Sequence, residues 1–195
     1  VYMKIVLASA SPRRKELLKQ IGIIPEIIMT DYQEDASLLP EEQVSTNAAG
    51  KALWLIDNYN IDESLIISAD TIVCIDNKVL NKPIDRDDAY NMMKELSGKR
   101  HSVLTSICVL NSNNKELKSI LVETHVYMHD LDEKEINAYI DTDEPYDKAG
   151  GYAIQGKASI FIDKIEGSYS NVVGLPLTEL TMILKEFNFE VTASW

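Results

Sequence analysis

Residues 3–22 read MKIVLASASPRRKELLKQIG, and the passage from strand to helix within them decides the fold. MKIVLA has the apolar, branched character of a strand. Leu17, Leu18 and Ile21 then recur at helical spacing, so a helix is expected over Ser11 to Ile21. Ser11 reads as its N-cap, Pro12 as its first residue and Gly22 as its stop. The first turn of a helix carries partial positive charge and favours Asp or Glu. Here Arg13, Arg14 and Lys15 occupy it, and Arg14 stands where a Glu would close a capping box. A bound anion explains the exception. Backbone N–H groups at the helix start, the hydroxyls of Ser9 and Ser11 and two guanidinium groups all suit a phosphate. The plainer alternative is that these cations extend into water.

Working outward, PEIIM suggests a second strand, and TDYQEDASLLPEEQ is polar and loop-like. A helix from about Pro40 to Tyr59 places Val44, Ala48, Ala52, Leu55 and Ile56 along one face. LIISADTIVCI is a β-rich run, followed by a turn at Asp76-Asn77 and a return through KVLNKP. Asp85 caps the helix in DRDDAYNMMKEL, which obeys the dipole rule that the first helix breaks and stops at Gly98. HSVLTSICVLN and ELKSILVETHVYM form a hairpin across Asn111–Asn114. Asp132 and Glu135 are spaced as a capping box. EPYDKAGGYAIQGKA is polar and glycine-rich, ASIFIDKIEG reads as a strand, and PLTELTMILKEF as a closing helix. Strands and helices mixed throughout imply an α/β fold with a central mixed, twisted sheet flanked by helices. We expect one domain over residues 1–195, with two lobes around a cleft.

The bulk composition narrows the function. With 195 residues and 45% apolar side chains, the chain has enough material for a real core. No apolar run approaches the roughly 20 residues that span a bilayer. The short apolar start is followed at once by Pro-Arg-Arg-Lys, the reverse of a signal peptide, which points to a cytoplasmic protein. Met3 is a candidate natural start, with Val1-Tyr2 before it. Cys74 and Cys108 lie in β-like apolar runs and read as buried free thiols. A net charge of −12 argues against nucleic acid as a partner and means that an anionic substrate needs a local basic pocket or a metal ion.

Four places carry candidate chemistry. The first is the cationic helix start. The second is Ser68-Ala69-Asp70-Thr71, where Asp70 interrupts a run whose other residues favour burial. A carboxylate there must be paired, hydrogen-bonded or metal-bound. It is either a structural Asp at a strand end or a general base or metal ligand, with Glu34 as a second acid for Mg²⁺. The third is Lys82 in an Asn-Lys-Pro turn, a point charge for phosphate or a solvated turn residue. The fourth is DKAGGYAIQG, whose glycines permit close backbone approach and whose Gln155 either reads a base edge or braces the loop. His101, His125 and His129 show no zinc spacing, and no Walker-type or GxSxG motif is present.

LASASPRRKELL, SADTIVCIDNKVLNKP, SGKRHSVLTSICV, EPYDKAGGYAIQG and SNVVGLPL, in this order, resemble the Maf family of nucleoside triphosphate pyrophosphatases over nearly the whole chain. The resemblance implies hydrolysis of a nucleoside triphosphate to its monophosphate and pyrophosphate, a house-cleaning role, with Mg²⁺ or Mn²⁺ as cofactor. It also implies a fold similar to inosine triphosphatases, a homodimer, and for some members a link to septum formation. Asp70-Thr71, AIQG at 153–156 and residues 169–177 look like the branch acting on dTTP and UTP rather than on 7-methyl-GTP. By the same resemblance Asp70 is the catalytic proton acceptor, aided by Lys82. Arg13, Thr71 and Gln155 match positions that set nucleotide preference, and Ser9, Arg14, Glu34, Lys51 and Lys82 match other family positions near the cleft; from both readings we expect Ser9, Arg13, Arg14, Lys51, Thr71 and Gln155 to contact substrate and Glu34 with Asp70 to hold the metal. Gln33 before Glu34, Gly50 before Lys51 and Asn81 before Lys82 depart from the family pattern. Rival readings are a nucleotide-sensing division regulator without catalysis and an enzyme for damaged purine triphosphates.

Overall fold

The computed structural model describes residues 3–195; Val1 and Tyr2, read above as preceding a natural start, lie outside the described residues. The expected first strand is β1 (Lys4–Leu7), and the expected first helix is α1 (Pro12–Gln20). Ser11 caps α1, its hydroxyl accepting from the Arg14 N–H, and Gly22 follows the helix with φ of 84°. There follow β2 (Glu26–Ile27), α2 (Pro40–Asn58), β3 (Ser64–Ile75), β4 (Lys78–Leu80), α3 (Arg86–Leu96), β5 (Arg100–Asn111), β6 (Leu117–Met128), α4 (Glu133–Ile140), β7 (Ile162–Glu166), α5 (Tyr169–Val173) and α6 (Leu177–Glu186). The strands form one mixed sheet in the order β2-β1-β3-β5-β6-β7, with β4 paired to β3. β1 runs parallel to β2 and β3, while β3–β4 and β6–β7 are antiparallel. The α/β class and the mixed sheet are thus as expected. The Asp76-Asn77 turn has positive φ at both residues, 49° and 64°, the geometry a tight hairpin favours.

Two stretches differ from expectation. PEIIM contributes only Glu26–Ile27 to the sheet, both exposed. The first half of ASIFIDKIEG is a 3₁₀ turn, Lys157–Phe161, and only the second half is strand. The cause is Glu144, whose carboxylate accepts the N–H groups of Lys157 at 2.9 Å and Ala158 at 3.3 Å and ties that backbone into a turn.

The chain divides into two compact units. One comprises the chain up to Asp70, Thr105–Val122 and Gly174–Trp195; the other comprises Thr71–Leu104 and Glu123–Val173. In the first, α2 lays Ala48, Ala52 and Leu55 on Val6, Ala8, Ile66, Cys108 and Leu110. In the second, the core gathers Val73, Ile75 and Leu80 with Met93 and Leu96 of α3 and Ile136, Tyr139 and Ile140 of α4. α4 begins with the capping box expected from Asp132 and Glu135. Cys74 and Cys108 are buried free thiols, and burial pushes the Cys108 thiol up to about 12. No helix is long and apolar enough to cross a membrane among the described residues.

Candidate active site

Asp70 lies on β3 and is 7% exposed. An apolar strand does not tolerate a lone carboxylate, and here α2 supplies its partners. Lys51 Nζ stands 2.8 Å from Asp70 Oδ1, and the Asn47 amide donates to Asp70 Oδ2 at 3.2 Å. Gln43, Asn47 and Lys51 recur every four residues, so they form a buried polar stripe on a helix whose neighbouring face is apolar. Lys51 Nζ also lies 2.6 Å from Glu34 Oε1 and 3.4 Å from the Ala69 carbonyl. Lys51 therefore donates to Asp70 and to the Ala69 carbonyl and is also ion-paired with Glu34. Lys51, expected to contact substrate, is directed at Asp70 and Glu34.

The cationic first turn of α1 divides its labour. The Arg14 guanidinium folds back, donating from Nε to the Gly174 carbonyl at 2.8 Å and from Nη1 to the Ser9 hydroxyl at 3.1 Å. Ser9 is buried and also accepts the Ser11 N–H at 3.2 Å, so it braces the loop before the helix. Burial lowers the Arg14 pKa; the charge of Asp70 draws it back up, Arg13 lowers it further and Glu34 raises it. Within the first unit Arg14 thus feels the charges of Asp70 and Glu34, both of which pair with Lys51. Arg13 is half-buried and makes no hydrogen bond or ion pair with a described residue.

Glu34 and Asp70 supply carboxylate oxygens, the donor type a hard divalent cation takes. The carboxylates of Glu34 and Asp70 converge on a single cationic position, that of Lys51 Nζ. Among the described residues no three or more His, Cys, Asp or Glu side chains gather to hold a metal. Two carboxylates completed by substrate phosphate oxygens are the arrangement Mg²⁺ commonly takes.

The remaining expected residues belong to the second unit. Thr71 is half-buried on β3; Lys82 and Gln155 are exposed. The glycine loop and the lysine turn are in contact, for the Gly150 N–H donates to the Asn81 carbonyl at 3.2 Å. Gly150 has φ of 71°, and a Cβ there would stand 2.9 Å from the Val73 side chain, so no other residue fits without strain. Lys148 pairs with Asp147 and donates to the Glu144 carbonyl oxygen at 2.8 Å. Burial works against ionisation of Glu144, but the N–H groups of Lys157 and Ala158, the Tyr139 hydroxyl and the Lys148 charge outweigh it and lower its pKa.

Sequence reasoning missed Asn47 and Glu144. Asn47 had a signal, since it lies one turn before Lys51 and beside the apolar face of α2. Glu144 had none, because the backbone N–H groups it ties down are 13 and 14 residues away.

The family model for Maf-like proteins matches residues 4–187. A dTTP/UTP pyrophosphatase of Carboxydothermus hydrogenoformans is 46% identical over 190 residues, covering 96% of this chain and all of that protein. One of Ruminiclostridium cellulolyticum is 47% identical over 191 residues, covering 96% of this chain and 97% of that protein. Among solved structures, a HAM1 protein from Coxiella burnetii shares the fold, with a TM-score of 0.52 and 14% identity over 95% of this chain and all of that one. With a family model spanning nearly its whole length and relatives this similar end to end, the chain belongs to the family of Maf-like proteins.

Proposed function

We propose that this protein hydrolyses dTTP and UTP to the monophosphate and pyrophosphate. The observation that carries the reading is Asp70: a carboxylate 7% exposed, held by Lys51 and Asn47, within the electrostatic reach of a cationic helix start. The dTTP/UTP pyrophosphatases 46% and 47% identical to this chain support the substrate class.

In this reading Asp70 orients the attacking water and takes its proton. Lys51 holds the Asp70 carboxylate in place. Arg13 contacts phosphate oxygens, while Ser9 and Arg14 hold the loop and helix start that present backbone N–H groups to them. Lys82 offsets charge on the departing pyrophosphate, and Thr71 and Gln155, by the family resemblance, select the pyrimidine. Glu34 and Asp70 would hold a divalent cation, Mg²⁺ or Mn²⁺, which would supply charge neutralisation at the phosphates. Such chemistry depends on positioning and electrostatics more than on covalent participation. The cytoplasm, where these triphosphates occur, is the proposed compartment, and the protein acts as one domain and as a homodimer.

The test is product analysis with Mg²⁺ or Mn²⁺ across dTTP, UTP, CTP, dATP, GTP and 7-methyl-GTP. Pyrophosphate with monophosphate from dTTP and UTP supports the reading. Activity confined to purines or 7-methyl-GTP keeps the chemistry and overturns the roles of Thr71 and Gln155. Nucleotide binding without hydrolysis of any of them would indicate a sensor.

A further inference from the structure

Glu34 reaches Lys51 from a polar segment with almost no secondary structure, and its side chain is 56% exposed. Its ion pair alone does not hold such a side chain, because exposed pairs are weak and two long side chains lose entropy in forming one. Yet the backbone on either side of Glu34 is anchored to α2.

On one side, the buried Asn47 amide grips Asp35 from both ends. Its Oδ1 accepts the Asp35 N–H at 2.9 Å and its Nδ2 donates to the Asp35 carbonyl at 3.3 Å. The same Nδ2 donates to Asp70 Oδ2 at 3.2 Å. One side chain, 0% exposed, therefore ties the Glu34 segment to the carboxylate on β3. On the other side, the Tyr32 ring lies over Gly50. A Cβ at Gly50 would stand 2.2 Å from Tyr32 Cζ and 2.6 Å from its hydroxyl oxygen, so the ring occupies the space a side chain would need. Gly in a helix interior weakens the helix, and this contact is what the weak residue permits. Gly50, Asn47 and Lys51 are neighbours on α2, so the helix that carries Lys51 also carries both anchors.

We propose that Asn47 and the Tyr32–Gly50 contact are positioning elements that hold Glu34 in register with Lys51 and Asp70. This rests on the reading of Asp70 as the catalytic carboxylate. None of the three touches substrate in this scheme; they act through Glu34 and Asp70.

Two variants test it: Asn47→Leu, which removes the amide, and Gly50→Ala, which evicts the ring. Amide exchange at Asp35 is followed on the resting protein, and kcat and KM for dTTP are measured beside the thermal midpoint. Asn47→Leu is expected to speed Asp35 exchange about tenfold, the scale of losing a hydrogen bond that gates local opening. It should lower kcat about tenfold with KM within about twofold, because a displaced catalytic group impairs the transition state more than binding. Gly50→Ala is the sharper case. Ala is the better helix former but its Cβ displaces the Tyr32 ring, so a glycine that serves packing alone predicts a changed midpoint with unchanged kcat. The positioning role predicts reduced kcat and faster Asp35 exchange whichever way the midpoint moves. Unchanged Asp35 exchange in either variant, or unchanged kcat with exchange accelerated, overturns the proposal. The exchange measurement needs no turnover, so it judges the anchors by themselves; absent pyrophosphate release by the unmodified protein overturns the functional reading instead.

Discussion

The two units each bury a polar pair, and they do so in opposite ways. In the first, Lys51 and Asp70 are charged groups 2.8 Å apart, with side chains each about 10% exposed. In the second, His101 and Tyr152 are buried polar groups whose Nε2 and hydroxyl lie 2.7 Å apart. Burial lowers the His101 pKa to about 4, so it is neutral near pH 7. Burial alone pushes the Tyr152 phenol up. Charge is retained in the interior only where an opposite charge and a hydrogen bond meet it. The neutral pair suffices to join β5 to the segment before AIQG. The charged pair is a costlier way to join α2 to β3.

The comparison can be broken in four ways. The largest effect is expected from Lys51→Met, which leaves Asp70 buried without its counter-charge. A loss of about 3–5 kcal/mol in urea unfolding is expected, the usual cost of breaking a buried pair from one side. A loss under about 1 kcal/mol would place this pair with solvated ones.

Next comes the neutral pair, through pH. The native His101 pKa, about 4, lies below its ordinary 6.5. Between these values the unfolded chain binds a proton that the native state does not, so stability rises with pH there. The contribution is fully present above about 6.5 and is lost as pH falls toward about 4. Its size is about 3 kcal/mol. Unfolding free energies of the wild type and of His101→Gln, compared at pH 7 and pH 4, should diverge by that amount in their pH dependence. Parallel curves would mean that His101 protonates in place.

Asp70→Asn keeps the size of the side chain and removes the base. Turnover is expected to fall about 100-fold or more, about 2.7 kcal/mol in barrier, while nucleotide still binds. Near-normal pyrophosphate release would remove Asp70 from the central role.

The smallest effect on stability sharpens a second contrast, between helix starts. α3 and α4 place acids in their first turns, and α1 places none there. Arg13→Glu makes α1 conform and should add about 0.5 kcal/mol of stability. If Arg13 binds phosphate, the same change lowers kcat/KM for dTTP. Unchanged kinetics in the more stable variant would return Arg13 to solvent.

How much of this was legible from the chain varied with the range of the interactions. The first strand and helix, the hairpin turn at Asp76-Asn77 and the capping box at Asp132 were legible because caps, turns and periodicity act within a few residues. Asp70 was legible because a carboxylate inside LIISADTIVCI conflicts with its neighbours. The 3₁₀ turn at Lys157–Phe161 was not, since its local apolar character suggests strand and Glu144 overrides it from 13 residues away. Gly50 was visible as an unusual helix residue, but its reason, the Tyr32 ring, lies 18 positions earlier.

The sequence by itself determined the α/β class, the helix caps and the identity of the out-of-place groups, because hydrophobic periodicity, backbone preference and the cost of an unpaired charge are properties of short segments. Only the tertiary structure decided which partners those groups take. Lys51 is turned toward Asp70 and Glu34, Arg14 is folded onto Gly174 and Ser9, and Asn47 links a loop to a strand. Those pairings form because burial strengthens electrostatic attraction and penalises every polar atom left unmatched, and burial exists only once distant segments have packed.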